Sequence, residues 1–141
     1  MKTIKAILAG IGVMFGFVPI CDGAVQIHNF NDLLAAIAQV ESSGDPNAVN
    51  EKENAVGLYQ IRPIYLKDVN RILGYQYFKL ADRYDPEYSK QIVSAYLLYY
   101  GRNKSLEAMA RIHNGGPKGY KRECTKQYWA LIQRVMSEAG G

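Results

Sequence analysis

The sequence is short of the residues that usually announce a metal centre or a disulfide scaffold. Among 141 residues there are only two cysteines, Cys21 and Cys124, and two histidines, His28 and His113. None of these stands at metal-ligand spacing, so no metal or other cofactor is expected. Two cysteines exclude a disulfide-dense framework and permit at most one bridge. Five prolines and a charged fraction of 21% leave no low-complexity tract and no block of one sign. The formal charge of +4 comes from scattered Lys and Arg. It favours approach to an anionic surface, and without a basic block it gives no reason to expect a nucleic-acid partner. With 48% apolar residues the chain is of ordinary globular composition, sized for one domain.

What the sequence has in excess is tyrosine, 11 in all. An apolar ring with a polar tip suits a sugar-binding cleft, yet most of these rings are expected to build the packing between helices. The N-terminus is the second marked feature. Lys2 and Lys5 precede an apolar stretch from Ala6 to Ile20, and Gly23 and Ala24 offer small residues for cleavage. Residues 1–24 therefore read as a signal peptide and 25–141 as the mature domain, exported to the periplasm or beyond. Removing Lys2, Lys5 and Asp22 leaves a mature charge near +3. Cleavage would also leave Cys124 unpaired.

Beyond the leader the pattern is helical. Asn31 or Asp32 is placed to cap a helix carrying Leu33, Leu34, Ile37, Ala38 and Val40, ended by Gly44-Asp45-Pro46. Residues 45–60 read as a polar loop holding at most a short β-hairpin. Pro63 opens a second helix with Leu66, Val69, Ile72 and Leu73 inward, closed by Gly74. Asp85-Pro86 opens a third, with Ile92, Ala95, Tyr96 and Tyr99 inward. Ser105 caps a fourth that runs to about His113, and Thr125 caps a fifth bearing Tyr128, Leu131, Ile132 and Val135. The fold class is mainly α.

Glu41 falls at the C-terminal end of the first helix, three and four residues after Ala38 and Ile37, on its apolar side. Burial and the negative end of the helix dipole would both raise its pKa. A carboxylic acid held protonated near neutrality is what cleavage of a glycosidic bond requires. A glutamate merely turned to water at a helix end is the commoner case, so the surrounding residues decide.

Those residues are Glu41-Ser42-Ser43-Gly44, then Gly57-Leu58-Tyr59-Gln60-Ile61, then His113-Asn114-Gly115-Gly116-Pro117, then Thr125 and Tyr128. In this order and spacing, over roughly residues 30–133, the sequence resembles the lytic transglycosylases with an SLT-type domain, of the lysozyme-like superfamily. The resemblance implies a goose-type helical lysozyme fold. It further implies an exported muramidase, acting as a monomer, that cuts the β-1,4 MurNAc–GlcNAc bond of peptidoglycan glycan strands. Carried over residue by residue, Glu41 is the general acid and then base, and Ser42 orients the substrate or the acid. Gly57 lets the backbone pass close to a sugar, and Tyr59 stacks on a sugar face or packs inward. Gln60 and Asn114 line the cleft, and Tyr128 sits beside the acid.

His113 departs from the family's usual tyrosine, and Arg111-Ile112-His113-Asn114-Gly115-Gly116-Pro117 is also similar to a stretch of invertebrate-type lysozymes. A histidine there either bonds a carbonyl at the helix end, the commoner role, or titrates and tunes Glu41. Hydrolysis ordinarily needs a second carboxylate, for which Asp45, Glu51 and Glu53 are available. The family's own reaction needs one acid, because the substrate's 6-hydroxyl can attack and leave a 1,6-anhydro end. Two alternatives to that reaction stand: a lysozyme-type hydrolase of the same bond, and a non-catalytic glycan-binding or assembly protein.

Overall fold

The computed structural model describes residues 21–139. Five helices carry the fold: α1 (Cys21–Ser42), α2 (Pro63–Leu73), α3 (Pro86–Tyr100), α4 (Leu106–Gly115) and α5 (Lys126–Ala139). A two-stranded antiparallel hairpin, β1 (Val49–Asn50) and β2 (Ala55–Val56), pairs Val49 with Val56 and Asn50 with Ala55. The mainly α class and the single short hairpin in the 45–60 loop are as expected. The first twenty residues of the expected leader lie outside the described residues. Among those described, no helix is long and apolar enough to cross a membrane, and Cys124 is exposed and free.

The helix starts follow local chemistry. Pro63 and Pro86 occupy first turns, where a missing N–H costs nothing. Asp85 accepts from the backbone N–H groups of Glu87 and Tyr88, both at 2.9 Å, and Ser105 accepts from that of Ala108 at 3.2 Å. Gly74 ends α2 at φ 81°, a left-handed cap natural to glycine.

Three expectations are corrected. Asn31 and Asp32 do not start α1, which runs from Cys21; no helix breaker stands between Ala24 and Asn31, and the exposed Asn31 sits on the helix's wet face. Tyr99 and Leu131 are 54% and 45% exposed rather than inward, and Val93 and Leu97 of α3 are fully buried instead. The inward stripe of α3 is thus Ile92, Val93, Tyr96 and Leu97, one position out of phase with the expected one. Thr125 does not cap α5. It lies in a 3-10 turn, where its hydroxyl donates to the carbonyl oxygens of Gly119 (2.8 Å) and Arg122 (2.7 Å) and accepts from Arg111 Nε at 2.9 Å.

The core centres on α1. Leu33, Leu34 and Ile37 pack with Ile92, Leu97, Ile112 and Ile132 from α3, α4 and α5, all at 1% exposure or less. Burying side chains of this size contributes about 1.5–3 kcal/mol each, so the end of α1 that carries Glu41 is rigidly set. The buried Arg111 fixes α4 to the chain before α5: its guanidinium pairs with Glu107 at 2.7 Å and donates to the Arg122 carbonyl at 3.0 Å. That clamp, with Thr125, places Tyr128 one turn further on, facing α1.

Candidate active site

Glu41 emerges from α1 with its side chain 20% exposed. Tyr128 of α5 donates its hydroxyl to Glu41 Oε1 at 2.8 Å. His113 of α4, buried, sets Nε2 3.5 Å from the same oxygen. The other ring nitrogen, Nδ1, is 3.2 Å from the Tyr65 hydroxyl of α2. Tyr65 in turn stacks on Tyr96 of α3, with ring centroids 3.9 Å apart. All five helices therefore contribute to holding one carboxyl. The expectation that His113 would bond a backbone carbonyl is replaced by this bridge between Tyr65 and Glu41.

The electrostatics reverse another expectation. Burial does push the Glu41 carboxyl upward, but hydrogen bonding and charge from His113, the Tyr128 hydroxyl and the Arg62 charge together hold it below its ordinary value. The reading from the helix end alone gave the opposite sign, because it omitted three groups delivered by α4, α5 and the residue that precedes α2. Burial, and next the Glu41 charge, push the Tyr128 phenol well above its usual range, so it stays a donor to Glu41. Burial does the same for Tyr65.

A cavity of about 160 Å³ opens over the acid, lined by Glu41, Asn50, Glu53, Gln60, Arg62, Tyr65, His113 and Asn114. A larger cleft of about 570 Å³ shares Arg62, Tyr65, His113 and Asn114 with it. The two form one groove running over α2 and the end of α4. Among the described residues no cluster of three or more His, Cys, Asp or Glu side chains is placed to hold a metal ion.

Of the residues expected from sequence, Glu41, Gln60, His113, Asn114 and Tyr128 meet here. Gln60, itself at φ 48°, donates its amide to the Ala48 (3.2 Å) and Gly57 (3.0 Å) carbonyls, which fixes the loop that forms the cavity's wall. The other three serve the scaffold. The Ser42 hydroxyl is shared between the Ala38 and Leu58 carbonyls at 3.0 and 2.9 Å, tying the helix end to that loop. Tyr59 is 4% exposed and packs in the core; burial pushes its phenol up to about 12. Gly57 is required by the protein itself: a Cβ there would lie 2.0 Å from the Arg83 carbonyl oxygen. Tyr65, Arg62 and Asn50 escaped the sequence reading, and Glu53 entered it only as one of three candidate second carboxylates. Tyr65 follows Arg62-Pro63-Ile64, and only the crossing of α2 on α4 brings it to His113.

The geometry and the comparisons with known proteins converge. Residues 23–136 match the family described as Transglycosylase SLT domain, and the protein belongs to that family. Its relatives include a lysozyme of Ostrea edulis, 35% identical over 81 residues (55% of this chain and 57% of the relative), and a lysozyme of Magallana gigas, 26% identical over 136 residues (92% and 94%). A lysozyme of Crassostrea virginica is 43% identical over 49 residues, 32% of this chain and 27% of that protein. The matches to the Crassostrea virginica and Ostrea edulis proteins thus span less than two thirds of the length of those relatives. Among solved structures, Tapes japonica lysozyme superposes with a TM-score of 0.61 at 25% identity, covering 74% of this chain and 88% of that one. The complex of Aeromonas hydrophila PliI with Meretrix lusoria lysozyme contains a chain matching equally well, at 26% identity. The fold is lysozyme-like.

Proposed function

We propose that the protein is an exported muramidase, made with residues 1–24 as a leader, that cleaves the β-1,4 bond between MurNAc and GlcNAc in peptidoglycan. The observation that carries this is the partly buried Glu41 carboxyl at the floor of a groove, held by Tyr128 and His113. In the free protein the carboxylate form is favoured. A glycan strand laid in the groove excludes the remaining water from Glu41, which strengthens the burial effect and returns the carboxyl toward its acid form. Protonated Glu41 then gives its proton to the leaving glycosidic oxygen, which departs with the bonding electron pair. Tyr128 steadies the carboxylate that results.

Two routes complete the reaction. In the one-carboxylate route the substrate N-acetyl group supports the cationic centre. The 6-hydroxyl of the same sugar attacks it, and Glu41 takes the hydroxyl proton, leaving a 1,6-anhydro end. Of the other carboxylates, Asp45 is a turn residue that accepts from the Asn47 N–H at 2.9 Å, and Glu51 is exposed and does not line the cavity. Glu53 is different, and it favours the second route, hydrolysis. It lines the cavity with Glu41, 3.9 Å from Arg62, with its side chain open to water. As the second carboxylate it would activate a water or attack the sugar directly. The lysozyme relatives support that route as well.

Mass spectrometry of muropeptides released from purified sacculi decides between them. Products lighter by one water mark the anhydro route, and reducing ends mark hydrolysis. Absence of any product, with strand binding intact, would leave a glycan-binding protein and overturn the enzymatic reading.

A second expectation concerns pH. A general acid must be protonated, so the basic limb of the kcat/KM profile reports Glu41 in the free protein, and that of kcat reports it with the strand bound. The limb of kcat is expected at higher pH than that of kcat/KM. The His113→Gln variant, without two of the effects that hold Glu41 down, should shift the kcat/KM limb upward. Coincident limbs in the wild type, or a downward shift in the variant, would contradict this account of the site.

A further inference from the structure

The larger limb of the groove has a charge pattern that a neutral sugar chain does not need. Arg62, Lys67, Arg71 and Arg122 line it, and Asp68 is its only carboxylate. Asp68 is already spent: Arg71 contacts it at 2.7 Å and the Tyr100 hydroxyl donates to it at 2.6 Å. That leaves Arg62, Lys67 and Arg122. Among the described residues Arg62 makes one ion-pair contact, 3.9 Å to Glu53, besides the pull of its charge on Glu41, and the Arg122 guanidinium makes one hydrogen bond, 3.5 Å to the Gly115 carbonyl. Lys67 has no ion-pair partner among the described residues. Lys67 and Arg122 approach from opposite walls, one on α2 and the other in the turn after α4. Both are exposed. Arg62, His113 and Asn114 join this limb to the cavity over Glu41. An anion held between the two walls would therefore be attached close to the bond being cut.

The N-acetylhexosamine backbone is uncharged. The charge on a peptidoglycan strand lies on the stem peptides, which leave each muramyl lactyl group and carry free carboxylates. We infer that Lys67 and Arg122, aided by Arg62, bind carboxylates of the stem peptide beside the scissile bond, so that the groove selects peptide-bearing over bare glycan. This deepens the proposed function and rests on it for the identity of the strand. Exposed ion pairs are individually weak, and two or three acting together give a preference of roughly tenfold.

Two preparations of the same strands test it: one freed of cross-links but keeping its stem peptides, the other stripped of them by an amidase. The wild-type chain is expected to cleave the peptide-bearing strands with kcat/KM roughly tenfold higher, mainly through KM. In the Lys67→Gln/Arg122→Gln double variant that ratio should fall toward one, whatever its absolute rate, with a thermal melt to verify folding. Equal rates on both strands in the wild type, or a ratio that survives the double substitution, would overturn the inference. Dissociation constants for the same two preparations read it independently of turnover. If neither strand is cleaved, the enzymatic reading fails alone. A tenfold gap in Kd that closes in the variant still supports the selection, and equal Kd values sink it.

Discussion

Replacing Glu41 with Gln is expected to lower kcat on peptidoglycan by a factor on the order of 10³ or more, while the protein keeps its fold. General acid–base catalysis by a positioned side chain contributes about 10²–10⁴ in rate, and here one carboxyl would serve both the acid and the base step. Gln is nearly isosteric, and its amide oxygen can still accept the Tyr128 hydroxyl that now lies 2.8 Å from Glu41 Oε1. What it lacks is a transferable proton and a negative charge beside His113. A modest change in melting temperature with turnover near background is the expected pair of results, read from release of soluble muropeptides and from circular dichroism. Wild-type turnover in this variant would remove Glu41 from the chemistry.

The second large effect is one of stability. Gly57→Ala is expected to destabilise the protein by roughly 2–5 kcal/mol, since the left-handed backbone costs about 1–2 kcal/mol and the overpacking about 1–3 kcal/mol. Gly57 sits at φ 79°, and an added Cβ would meet the Arg83 carbonyl oxygen at 2.0 Å. That oxygen cannot swing aside as a side chain would. The buried Arg83 guanidinium fixes its own segment by donating to the Ile61 carbonyl at 2.9 Å and to that of Asn54 at 3.1 Å. A chain of this size loses several degrees of melting temperature per kcal/mol, so a drop of roughly 10 °C or more should appear by calorimetry. A melting temperature within about 2 °C of wild type would mean that the loop and the Arg83 segment separate easily. The cavity wall formed by Gln60 would then be softer than its hydrogen bonds imply.

Much of this was legible in the chain. Turn chemistry at Pro63, Gly74, Asp85-Pro86 and Ser105 set most helix limits, because caps act within a few residues. The motif order placed Glu41, Gln60, Asn114 and Tyr128 in one groove. The misses share a physical cause, which is dependence on tertiary placement. Tyr99 and Leu131 are apolar residues one helical step from the buried stripe, and no local signal distinguishes that edge from the centre. The direction of the Glu41 shift depends on His113, Tyr128 and Arg62, which lie 72, 87 and 21 positions away in sequence. Ser42, Gly57 and Tyr59 stand in sugar-binding motifs yet are held by the protein's own carbonyls and core. Each would be retained by the fold even without a ligand.

The hydrogen bond from Tyr128 to Glu41 joins residues 87 positions apart, one on the first helix and one on the last. No partial chain contains the finished site. Until the last helix has docked, Glu41 is an ordinary solvated glutamate, so the environment that holds its carboxyl arises only when both ends of the chain have packed together. By the same token, losing the last helix would strip Glu41 of its Tyr128 partner without touching the acid itself.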